Sequence, residues 1–211
     1  MNLFSTFDPS TGYMSLNWMS SLIITMMMPK KFWTKINKNE MLNMMIIKYM
    51  YNEMKNLTKN KSMLLMIITT FTFIMINNMM GLMPYIYTST SQLSFSMAMS
   101  LPMWLSMMIY SWTKKTKITM AHLVPVGTPN MLMPFMVMIE TTSNMIRPGS
   151  LAVRLTANMI AGHLMMSLLG NNKNMSAIMV VFLIIMTFEV AVSIIQAYVF
   201  TTLMTLYSSE T

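Results

Sequence analysis

Five charged or titratable side chains stand within long apolar runs: Glu140, Arg147, Arg154, His163 and Glu189. A charge in hydrocarbon is costly, so each of these groups needs a partner, water or a function. Asn158, Ser193 and Gln196 lie among them and add hydrogen-bonding capacity. On a helical wheel Glu140, Arg154 and Asn158 fall within about 80° of arc, and Glu189, Ser193 and Gln196 share a face through steps of four and three residues. Pairing His163 with Glu189 and Arg154 with Gln196 requires antiparallel registers that differ by only ~3 Å of helix rise. One hairpin of the last two helices thus presents a facing polar track. Arginine cannot release its proton under working conditions, whereas His and Glu titrate and their affinities shift with burial. Simpler readings exist for the single residues: a core histidine, an interhelical glutamine, and an Arg147 that snorkels to the aqueous boundary.

The surrounding composition sets the solvent. Hydrophobic residues make up 55% of the 211 and charged residues 9%, where a soluble domain carries roughly a quarter charged residues. The fold class is therefore an all-α integral membrane protein forming a single membrane domain, 1–211. A first span is expected at 13–28, stopping at Pro29 and the basic KKFWTK. From 37 to 59 the chain is too charged to span. Lys48, Asn52, Lys55 and Lys59 lie within ~60° of one another, with Ile46, Met50 and Leu57 opposite, which reads as an amphipathic helix on the inner surface. Segments 63–83 and 93–112 form a helical hairpin through the Pro84 turn. Segments 135–169 and 175–207 are long helices that exceed the ~20 residues a bilayer needs and so lie strongly tilted, the first interrupted near Pro148. The loop GNNKN between them is short.

Eight of the 12 Lys fall between Lys30 and Lys61 and three more in KKTK at 114–117. By the positive-inside rule these regions face inward and the N-terminus outward. The net charge of +8 thus marks orientation, and nucleic acid is no expected partner. With no Cys and only two His, metal sites and cofactors are not expected, and the 35 Met read as mutational bias toward a flexible apolar residue rather than as copper ligands. Phosphate-loop, dinucleotide, zinc-protease and serine-nucleophile motifs are absent. The N-x-S/T matches at Asn56 and Asn174 are chance, and no cleavable leader is visible.

AVRLTANMIAGHL at 152–164 and FEVAVSIIQAYVFTTL at 188–203 resemble the two most characteristic motifs of the a subunits of F-type ATP synthases, whose mitochondrial form is often called subunit 6. The order of helices is similar over most of the chain, and the Met excess suits a protein encoded in a mitochondrion. The resemblance implies a multi-pass subunit of the mitochondrial inner membrane, N-terminus in the intermembrane space. It implies proton translocation through two offset half-channels beside a rotating c-ring, with other membrane and peripheral-stalk subunits and lipids as neighbours. Arg154 would face the ring carboxylates, His163 and Glu189 would belong to the intermembrane-space path, and Glu140 to the matrix path. Asn158, Gln196 and Ser193 would assist. Nucleotide chemistry would belong to partner subunits. Two other classes fit the intramembrane charges: a proton- or ion-translocating subunit of another respiratory complex or a transporter, and a structural subunit whose polar groups join helices.

Overall fold

The computed structural model describes residues 6–10, 14–26, 34–58, 61–83, 85–124, 127–170 and 175–210. The expected first-span ends at Tyr13, Met27 and Met28, the Pro29 and Pro84 turns, Lys30, Lys31 and Lys59, and loop residues 171–174 lie outside them. Seven α-helices occur among the described residues: α1 (Met19–Met26), α2 (Lys38–Leu57), α3 (Lys61–Gly81), α4 (Leu93–Lys114), α5 (Thr116–His122), α6 (Met133–Gly170) and α7 (Met175–Glu210). Four of them, α3, α4, α6 and α7, are long and apolar enough to cross a bilayer. The protein is an all-α integral membrane protein. At 38 and 36 residues, α6 and α7 run about 57 and 54 Å at the helical rise.

Packing explains which faces these helices bury. In α3 and α7 the apolar residues go all round, as expected of helices whose outer side meets lipid rather than water, and α3 lies against α7 while α4 lies against α6. The two hairpin helices α3 and α4 therefore splay onto different neighbours and meet near their connection, where Phe73 stacks on Phe95 at 5.9 Å. Leu64, Ile67, Phe71 and Ile74 of α3, Leu151 and Leu155 of α6, and Ala197, Phe200 and Met204 of α7 form the core. Met50 and Met54 of α2 and Met103 and Met107 of α4 complete it.

The amphipathic helix α2 starts where Asn37 donates its backbone N–H to the Glu40 carboxylate at 3.2 Å, satisfying a group that helix geometry leaves open. Its apolar stripe runs Ile46, Met50, Met54 and docks on the bundle, while Leu57, expected on that stripe, is exposed. Residues 46, 50, 54 and 57 share about 80° of arc, and Leu57 is the last residue of the helix, exposed where α2 ends. Tyr198 of α7 reaches Glu53 at 3.4 Å.

Helix α6 passes through Pro148 without a break. Proline has no N–H, so the Asn144 carbonyl loses its partner four residues on. Asn144 lines a cavity, where water can reach that carbonyl.

Candidate functional site

Polar side chains gather where α6 and α7 cross beside α3. The Asn158 amide donates to the Gln196 side-chain oxygen at 2.9 Å, and Gln196 is buried. One turn earlier on α7, the Ser193 hydroxyl bonds the Val190 carbonyl at 2.7 Å and lies 3.2 Å from the Met79 sulfur. A further turn back, Glu189 lies against Gly162, close enough that any Cβ at position 162 would collide with its carboxylate. Asn78 of α3 closes this cleft, fully buried, with neither side-chain polar atom bonded to a described residue. The amide so placed keeps unmet hydrogen-bonding capacity in a cleft too tight to admit a water.

The observed register differs in detail from the pairings expected above. Asn158, one turn from Arg154, holds Gln196, and Gly162 rather than His163 stands opposite Glu189. A one-residue step turns a helical side chain by about 100°, so His163 points away from the cleft. Its ring meets Phe7 edge-on with centroids 6.2 Å apart, sits beside the Gly81 backbone, and buries an Nε2 that bonds no described residue. Gly81 is tight here: a Cβ would come within 3.1 Å of the Met159 methyl and 3.2 Å of Thr88.

Two larger cavities flank the cleft along α6. Toward the Gly170 end, a cavity of about 870 Å³ is bounded by Phe7, Asp8, Tyr87, His163 and Ser167. Burial, with the Asp8 charge adding to it, pushes the Tyr87 phenol up, so it stays a neutral hydroxyl. Toward the other end, a cavity of about 460 Å³ is lined by Ser111, His122, Glu140, Asn144, Arg147 and Tyr207. There Arg147 approaches Glu140 at 3.7 Å and stands 5.0 Å over the Tyr207 ring.

Arg154 lies between the two cavities in sequence and outside both. It is exposed, on a face of α6 that also exposes Val153, Ala157 and Ala161, and it forms no ion pair with a described residue. Of the residues singled out from the sequence, Asn158, Glu189, Ser193 and Gln196 come together, whereas Glu140, Arg154 and His163 occupy three separate settings. Three participants were not singled out. Asn78 is signalled by the pair of asparagines inside an apolar span, but Phe7 and Asp8 come from a segment whose approach to His163 leaves no mark in local sequence.

An α-helical membrane bundle with half-buried acid and base groups and buried amides between its long helices fits the ion-translocating class of membrane proteins. The ATP synthase A chain family model matches residues 12–209. Relatives include ATP synthase subunit a of Aedes albopictus, 50% identical, and of Drosophila melanogaster, 48% identical, each alignment covering 99% of this chain and 98% of the relative. The chain belongs to the ATP synthase A chain family, which makes it a proton-translocating membrane subunit of ATP synthase.

Proposed function

We propose that this subunit is the stator half of a rotary proton path in the mitochondrial inner membrane, with Arg154 facing a ring of c subunits and one access cavity on either side. The observation that carries the reading is the exposed, intramembrane Arg154, which forms no ion pair with a described residue while the cavities at His163 and at Glu140 flank it along α6. Exposed Ala157 and Ala161 on the same face let a partner helix come close.

A ring carboxylate crosses lipid protonated, because a bare charge there is expensive. Beside Arg154 it ionises. The arginine keeps its own proton, so it admits the carboxylate but does not pass protons from one cavity to the other. His163 and Glu189 hand protons between the larger cavity and the ring, beside a cleft whose amides, Asn78, Asn158 and Gln196, orient the Glu189 carboxylate. Glu140 serves the opposite cavity. The lysines of α2 and the end of α4 support a matrix-side position for that second cavity and, with it, an N-terminus in the intermembrane space. No nucleotide chemistry falls to this chain.

Arg154→Gln keeps a plausible side-chain volume but removes the fixed charge. In assembled, reconstituted ATP synthase it should abolish proton-driven ATP synthesis, a loss of at least about a hundredfold for a fixed charge removed from its site. Wild-type coupling with Gln at position 154 would sink the reading.

A further inference from the structure

We propose that Asp8 is the proton-collecting carboxylate of the cavity that leads to His163. The proposal rests on the reading of that cavity as the proton uptake path. Residues Thr6, Phe7 and Asp8 form part of its rim, opposite Tyr87 and His163. This stretch is tied to the bundle: the Gln92 side-chain amide donates to the Phe7 carbonyl at 2.7 Å across 85 positions of sequence. The Phe7 ring itself stands at 88° to the imidazole of His163. Next to that anchor, the Asp8 Oδ1 accepts the Ser10 N–H at 3.1 Å, an Asx turn across Pro9 that fixes the carboxylate while leaving it exposed.

The chemistry follows from scarcity. Free protons are rare near neutral pH, and a half-buried imidazole at the base of a cavity offers them a small target. An exposed carboxylate at the mouth offers a larger one, and its negative charge raises the local concentration of cations, protons and buffer acids included. Asp8 takes a proton from hydronium or a buffer acid and releases it inward through the water of the cavity. His163 receives it on a ring nitrogen, and the carboxylate is regenerated. The other titratable groups facing this space among the described residues are Tyr85 and Tyr87 of the α3–α4 connection and His163 of α6; α7 presents Phe182 and Met186, and the turn before α1 presents Asn17. No second acid competes for the role there.

The test uses assembled ATP synthase in proteoliposomes, with pH and buffer concentration varied on the uptake side. Asp8→Asn should lower ATP synthesis about threefold to tenfold in dilute buffer at alkaline uptake pH. Concentrated mobile buffer or acidification should restore the rate, because either supplies His163 directly, and Asp8→Glu should match the wild type. An Asp8→Asn rate equal to wild type in dilute buffer, or a loss that buffer does not relieve, overturns the proposal. His163→Ala is measured in parallel and should lose flux at every buffer concentration. Wild-type flux in that variant would overturn the uptake-path reading itself, whereas a dead His163→Ala beside an indifferent Asp8→Asn would overturn the role of Asp8 alone.

Discussion

Arg147 and Arg154 stand two turns apart on the same helix and meet opposite treatment. Arg147 lies over Tyr207 and beside Glu140, both in this chain, at the rim of a cavity. Arg154 stands on an exposed face among Val153, Ala157 and Ala161, with no ion pair to a described residue. The first cation is neutralised within the fold, so its charge is spent locally on holding α6 to the end of α7. The second has no such pairing among the described residues, and under the proposed function its field acts outside the chain. An intramembrane arginine is thus read by what surrounds it, and residue type alone does not separate a fastener from a working charge.

Substituting lysine at each position sharpens that contrast most. Arg154→Lys loses the planar fork and can deprotonate when desolvated, so ATP synthesis by the assembled complex should fall by about a hundredfold or more. Arg147→Lys keeps an ammonium near Glu140 and over Tyr207, interactions worth about 1 kcal/mol each, and should cost no more than about tenfold. Equal effects from the two would erase the distinction. Gly162→Ala probes the ground between the arginines and His163. Its Cβ displaces the Glu189 carboxylate, an overpacking of about 1–3 kcal/mol, and proton flux should drop several-fold in complexes that still assemble, as measured by acid-pulse uptake. Flux unchanged by the extra methyl would mean that Glu189 does not work from the cleft. The smallest effect belongs to Gln196→Leu, which removes the bond from Asn158. Interhelical hydrogen bonds in membranes average about 0.6 kcal/mol, so thermal stability of the complex should barely move while flux declines modestly. A large loss of assembly would recast the amide pair as structural.

Much of this was legible in the chain itself, for physical reasons. Lipid demands apolar runs of a given length, and the runs that became α3, α4, α6 and α7 could be read from that demand alone. The polar residues stood out against the same background, which is how Arg154, Asn158, Glu189 and Gln196 were found. Facing directions were less accessible, because one residue of register turns a side chain through about 100°: Gly162 meets Glu189 where His163 was expected. Contacts between distant segments left no local trace at all. The Gln92 bond to Phe7 spans 85 positions, and no periodicity announces it.

The separation of the two cavities along α6 has an electrical side. If the two cavities open to opposite compartments, as proposed above, water and ions in each carry the potential of their own compartment inward, and the membrane voltage falls across the protein left between them. From Arg147 to His163 that stretch is about 24 Å of helix rise, and the Arg154 side chain sits inside it. A transmembrane potential contributes about 2.3 kcal/mol per elementary charge for each 100 mV crossed. Concentrating that drop around a fixed cation turns a voltage spread over the whole bilayer into a force on whichever mobile charge passes position 154.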